Sequence, residues 1–299
     1  MKQEIISPIQ LTTGDKFKIF LLRKIIMPLV EVIARGKYPA GRVTELNYGS
    51  LADEKLDYIK PDKTSPSTIA IVHIHGGAFI AGSKGRLFAK PLLTFSDAGY
   101  PVFSLNYPLA PEYPHPYPLR SLLKALAYIK KTYPDYSTIH LTGDSAGGLL
   151  AMMLGIILSN TELLPEFEVV STGLLPEVKS IAPLYGVFDR IEWFQYGFPL
   201  SRLFFSFYAG EKALDKDYVP PIPVAPMDLQ TFEHLPPVYI AAGSKDKLQR
   251  VSKDYADHLR TRFSNVEFKE YEGGKHGFFS AGAGSEELMS DLLDFYRKF

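Results

Sequence analysis

Cysteine is absent from the 299 residues, and tryptophan occurs once, as Trp193. Without a thiol there is no disulfide, no thiolate nucleophile, no Cys-ligated zinc and no iron–sulfur cluster. The absence fits a reducing compartment. An excess of either charge is lacking too, because 33 Lys and Arg balance 33 Asp and Glu. No basic field and no Lys/Arg-rich run points to nucleic acid. Repeats and low-complexity stretches are missing. So is any apolar run that could span a bilayer. The most apolar early stretch, "FKIFLLRKIIMPLVEVIA" (17–34), is interrupted by Arg23, Lys24 and Glu31. It reads as an amphipathic helix packed on the domain, the alternatives being a mobile flap or a membrane-surface helix. The start, "MKQEIISPIQLTTGDKFKIF", lacks the charge–apolar–small order of a secretory signal. The expectation is a cytoplasmic protein without stable membrane insertion.

What is present is apolar surface: 46% of residues are hydrophobic, enough for a sizeable core. At this length one domain covering 1–299 is expected. From Arg42 onward, strand-like and helix-like segments alternate. "GRVTELNYG" and "EKLDYIKP" read as paired strands near an edge. "STIAIVHI" (67–74) is a β-branched run suited to a strand buried on both faces, and "YPVFSLNY" (100–107) is similar. "LRSLLKALAYIKK" (119–131) sets Leu119, Leu122, Leu123, Leu126 and Ile129 on one helical stripe. Strands alternating with helices imply an α/β fold with a mostly parallel sheet covered on both faces. Ligands bind such sheets beyond the carboxyl ends of the strands. Residues 188–230, rich in aromatics and prolines, break the alternation. They read as a mainly helical cap over that edge, joined by residues 1–40, or else as an ordinary long connection.

"LTGDSAGGLL" (141–150) contains Gly143-Asp144-Ser145-Ala146-Gly147, a G-x-S-x-G pattern between a strand and a helix. That is the setting of a nucleophile elbow, with Ser145 at the tip. The helix N-terminus behind it favours developing negative charge. The serine needs a base, and the base an orienting carboxylate. In this architecture the order is serine, acid, histidine. After Ser145 come His234, His258 and His276. His258 lies mid-helix, and His234 precedes a strand at its wrong end. His276, in the glycine-flanked "EGGKHGFF" after a strand, is the candidate base. Asp246, after "PPVYIAAGS", is the candidate acid, with Asp189 as runner-up. Glu272 sits too close to its strand's end. Asp144 adjoins the serine but should point away from it, in a structural role.

The oxyanion of acyl transfer needs backbone N–H donors, one from the residue after the nucleophile, here Ala146, and others from the loop after an earlier strand. "HGGAF" (75–79) is such a loop. Gly76 and Gly77 are expected as donors, with His75 anchoring the loop by hydrogen bonds. A metal reading of His73 and His75, which at i and i+2 would share one face of a strand, lacks a third ligand.

Together these segments resemble the hormone-sensitive-lipase-like branch of α/β-hydrolase esterases, over residues 68–299. The matching pieces are "HGGA" for the family's H-G-G-G, "YPLAPE" (107–112) for Y-R-L-A-P-E, "GDSAGG" (143–148), "GSKDKL" (243–248) and "KHGF" (275–278). The resemblance implies an α/β-hydrolase fold with a helical cap. It implies Ser145, Asp246 and His276 as a triad, Gly76, Gly77 and Ala146 as oxyanion donors, and His75, Asp144 and Glu112 as supporting motif positions. It also implies a serine carboxylesterase acting on short to medium acyl esters, with no cofactor, no metal and a small-molecule ester as its partner. Monomer and homodimer both stay open. The alternatives are an arylformamidase-like amide hydrolase of the same fold and a non-catalytic small-molecule receptor, which would typically lose the histidine. Two positions depart from the pattern. Ala78 replaces the third glycine, where its methyl narrows the alcohol side. Pro108 replaces an arginine, removing a charged contact and a backbone donor.

Overall fold

The computed structural model describes residues 11–34, 36–62, 67–168, 172–229 and 231–299. The first ten residues of the expected cap stretch 1–40, and residue 35, lie outside them. In chain order the strands are β1 (Val43–Asn47), β2 (Lys55–Ile59), β3 (Ile69–Ile74), β4 (Val102–Leu105), β5 (Thr138–Asp144), β6 (Glu177–Leu184), β7 (Val238–Gly243) and β8 (Val266–Tyr271). The helices are α1 (Thr13–Leu21), α2 (Met27–Ala34), α3 (Ala89–Asp97), α4 (Tyr117–Thr132), α5 (Ala146–Ser159), α6 (Arg190–Tyr196), α7 (Ser201–Ala209), α8 (Gln249–Arg260) and α9 (Ser285–Lys298).

The strands form one eight-stranded sheet in the order β1-β2-β4-β3-β5-β6-β7-β8. Pairing is parallel from β4 to β8, whereas β1–β2 and β2–β4 are antiparallel, as the alternating edge segments imply. The order reverses around β3, β4 and β5, so the loops after β3 and β5 meet at one point of the carboxyl edge.

Each apolar run is explained by what covers it. On one face, Val72, Ile74, Leu141 and Ile181 pack with α4, α5 and α8. On the other, Ile71, Val102, Ala182 and Ala241 pack with Leu92 and Phe95 of α3 and Leu288, Leu292 and Phe295 of α9. The stripe of α4 is buried as its spacing requires, from Leu119 to Ile129. Helix α5 is apolar all round, and its residues Ala146 to Ile157 are all buried, since the sheet lies on one side and α4 and the 188–230 segment on the other.

That segment carries α6 and α7. Its Trp193, Phe205 and Tyr208 pack edge-on or stacked against Phe79 of the loop after β3. Among the described residues no helix is long and apolar enough to cross a membrane.

Candidate active site

Strand β5 delivers Ser145 in a conformation that L-residues avoid, with φ at +55° and ψ at −118°. Such a backbone costs roughly 1–3 kcal/mol and persists only where its surroundings over-determine it. Here Ser145 N–H donates to the Leu184 carbonyl at 2.9 Å, and its own carbonyl accepts from Gly148 at 2.9 Å. The turn closes because Gly147 carries no side chain, as a Cβ there would overlap the Ile74 carbonyl oxygen.

The loops after β7 and β8 bring two further groups to this tip. The Ser145 hydroxyl lies 2.9 Å from His276 Nε2. His276 Nδ1 lies 2.9 Å from Asp246 Oδ2 and 3.1 Å from Oδ1. An ionised carboxylate only accepts, so Nδ1 carries the proton and Nε2 is left as the acceptor for the serine O–H. Asp246 also accepts the Leu248 N–H at 2.9 Å, and its side chain is sealed from solvent. The two loops are held together by Lys245 N–H donating to the Gly274 carbonyl at 2.9 Å and Gly273 N–H donating to Ser244 Oγ at 2.8 Å. Tyr185 and Phe198, the latter from the 188–230 segment, set their rings edge-on to the imidazole at 5.1 and 4.8 Å.

The other acid and base candidates are occupied elsewhere. Asp189 caps α6, accepting from Ile191 and Glu192. His258 is exposed on α8, and Glu272 is exposed where β8 ends.

The loop after β3 corrects one expectation. Gly76 does not offer its N–H to an oxyanion, because that N–H donates to Asp144 Oδ1 at 2.9 Å. The reason is register: β3 and β5 pair in parallel with Ile74 opposite Gly143, so the next two residues, His75 and Gly76, run alongside Asp144 and Ser145. The residue next to the serine therefore holds this loop. Among the described residues, the N–H groups of Gly77, Ala78 and Ala146 have no acceptor. With Gly76 engaged, Ala78 takes its place beside Gly77 and Ala146 as a candidate donor.

The loop reaches this shape through consecutive positive φ angles, +122° at Gly77, +54° at Ala78 and +67° at Phe79. A Cβ on Gly77 would overlap the Ala81 carbonyl, so only glycine fits there. Ala78 has left-handed backbone where the family pattern has glycine, and a non-glycine residue there is strained by roughly 1–2 kcal/mol. Its methyl thus bears on the loop's backbone as well as on the space around it.

The two histidines of "HIHGG" part company because β3 ends at Ile74. His73 faces the α3–α9 side, against Phe88 and Phe279, with Ser104 Oγ at 3.4 Å from its Nδ1. His75 stacks on Tyr107 across the sheet, and its Nδ1 donates to the Gly76 carbonyl at 2.7 Å. The Tyr107 hydroxyl returns a bond to the His75 carbonyl at 2.9 Å. Burial pulls the His75 imidazole down to about 4, so it stays neutral and acts as the loop's anchor.

Glu112, from "YPLAPE", meets a guanidinium not singled out in the sequence. Arg23, from the helical turn after α1, contacts both Glu112 oxygens at 2.8 Å and donates to the carbonyls of Ile80 and Ala110 at 2.6 Å each. With Pro108 in place of an arginine, the charge beside this loop comes from the N-terminal segment. The one available signal was that Arg23, like Lys24 and Glu31, interrupts an apolar run.

Comparison with known proteins follows the same lines. The sequence pattern of the alpha/beta hydrolase fold family matches residues 71–280. An esterase of Acinetobacter venetianus is 26% identical over 276 residues, covering 90% of this chain and 86% of that protein. The carboxylic ester hydrolase LipN of Mycobacterium tuberculosis is 26% identical over 247 residues, covering 76% of this chain and 63% of its own. The chain thus spans less than two thirds of LipN. The crystal structure of esterase B from Lactobacillus rhamnosis, inhibited by a tributyrin phosphonate, superposes with a TM-score of 0.75 at 18% identity, over 95% of this chain and 94% of that one.

Proposed function

From the premise that the chain belongs to the α/β-hydrolase fold family, we propose that it is a serine carboxylesterase acting on short to medium acyl esters. One observation carries this reading: the unbroken line from Ser145 Oγ to His276 to Asp246, at 2.9 Å per step. The esterase names of the relatives support the same class.

In the proposed reaction, Ser145 Oγ attacks the ester carbonyl carbon while His276 Nε2 takes its proton. The carbonyl oxygen becomes an oxyanion, received by the N–H groups of Gly77, Ala78 and Ala146. The carbon–alkoxide bond then breaks, and His276 returns the proton to the departing alcohol. Water attacks the acyl-serine with His276 again as base, releasing the acid and restoring Ser145. Asp246 holds the imidazole's tautomer and stabilises its charged form throughout. No step calls for a metal or an organic cofactor.

A series of p-nitrophenyl esters from formate to palmitate, run beside 4-nitroformanilide as the formamide counterpart of the formate ester, tests the assignment. Turnover is expected to peak between about two and eight acyl carbons and to exceed the formamide rate. A faster formamide would move the chain to the amide hydrolases. An absence of turnover, with no labelling of Ser145 by a fluorophosphonate, would leave only the receptor reading.

Asp144 offers a sharper check on the loop. Asp144→Ala leaves the buried Gly76 N–H unpaired, at about 1–3 kcal/mol, and releases the loop that carries two of the donors. Losing one well-placed donor lowers kcat by about 10²–10³. The expected result is a fall of that size with KM little changed, largely restored in Asp144→Asn, which keeps an acceptor oxygen. Steady-state kinetics with p-nitrophenyl butyrate reads both.

A further inference from the structure

The N-terminal helical segment shows two opposite stripes. A π-helical turn over Leu22–Ile26 joins α1 to α2 and adds a residue to the turn. Ile19, Arg23 and Met27 therefore line up at four-residue spacing on the inner side, with Ile19 buried and the other two half-buried. Offset by two residues, Phe17, Ile25 and Leu29 run along the outer side, joined by Phe20 and Val32. All five are exposed, Phe17 at 63% and Val32 at 72%. The same segment also carries exposed Lys16, Lys18 and Lys24, of which Lys18 meets half-buried Asp15 at 3.4 Å.

We propose that this outer face docks the protein on an anionic lipid surface. Phenylalanine and aliphatic side chains flanked by lysines fit the boundary between headgroups and acyl chains. The lysines complement anionic headgroups, each contributing about fivefold to binding. The segment needs no membrane span for this role. Its inner stripe is already fastened, since Arg23 holds the Ile80 carbonyl of the loop after β3 together with Ala110 and Glu112. A docked helix would therefore hold the loop after β3 near the lipid, where acyl esters concentrate. That consequence rests on the esterase reading, whereas docking itself does not.

The test is co-sedimentation with sucrose-loaded vesicles, using Ser145→Ala protein of residues 1–299 so that no lipid is consumed. Vesicles of phosphatidylcholine with about one third phosphatidylglycerol are compared with pure phosphatidylcholine. The protein is expected to pellet with the anionic vesicles and at least tenfold less with the neutral ones. Lys16→Gln/Lys18→Gln/Lys24→Gln should weaken anionic binding by about 100-fold. Phe17→Ser/Leu29→Ser/Val32→Ser should weaken it by more than tenfold, with the melting temperature unchanged because these side chains are already exposed. No pelleting of the parent protein, or undiminished pelleting of both variants, would overturn the proposal. So would a parent that elutes as a dimer without binding vesicles and becomes a monomer in the triple serine variant, which assigns the face to self-association.

Discussion

Ser145→Ala is expected to lower kcat on p-nitrophenyl butyrate by about 10⁵–10⁶-fold, because it removes the atom that forms the covalent intermediate. The substitution is conservative for the fold. Alanine keeps the Cβ, and the Leu184 and Gly148 backbone bonds that hold the elbow do not involve the lost oxygen. The residual rate should still exceed that in water, since the proposed oxyanion donors, the Gly77, Ala78 and Ala146 amides, are untouched. KM should change little, and fluorophosphonate labelling should vanish. A variant that retains a tenth of the parent rate would sink the acyl-serine mechanism. The outcome also bears on His276, whose Nε2 lies 2.9 Å from the serine hydroxyl.

Much of this site was legible because chemistry and chain order constrain it together. A strand, a G-x-S-x-G turn and a helix admit few arrangements, and β5, Ser145 and α5 follow that order. His276 could be picked out because only one later histidine follows a strand. The sheet also followed from local pattern: β3 and β4 needed cover on both faces, and their neighbours supply it. The oxyanion donors were harder. "HGGA" shows which amides are unobstructed, but not which is already bonded. Gly76 is taken by a carboxylate 68 positions away, and that pairing depends on the β3–β5 register. The same argument hid Asp144's partner, although its structural role was inferred. Arg23 was invisible for a related reason: its partners Ile80, Ala110 and Glu112 become neighbours only once the N-terminal segment is laid across two loops. Sequence periodicity reports which face of an element is apolar, and long-range polar contacts leave no such trace.

Asp246→Asn isolates the part of the site that geometry constrains most tightly. The carboxylate accepts from both His276 Nδ1 and the Leu248 N–H, in a side chain closed to solvent. Asparagine has one acceptor oxygen and one NH₂. The Leu248 N–H can only donate, so it claims the oxygen, and the NH₂ is turned toward His276. Nδ1 must then accept, which moves the imidazole proton to Nε2 and aims a donor at the serine oxygen. An imidazole in that tautomer cannot take the serine proton, and kcat at neutral pH should fall by about 10⁴ with the fold intact. The residual reaction needs hydroxide in place of the base, so its rate should rise about tenfold per pH unit in the alkaline range, a slope the parent protein lacks. Fluorophosphonate labelling should slow by a similar factor, because it uses the same activated oxygen. A loss smaller than tenfold would mean that another carboxylate orients the ring. Asp189, the nearest rival by sequence, is committed to the Ile191 and Glu192 amides at the start of α6, so that result would require the loops after β6 and β7 to rearrange.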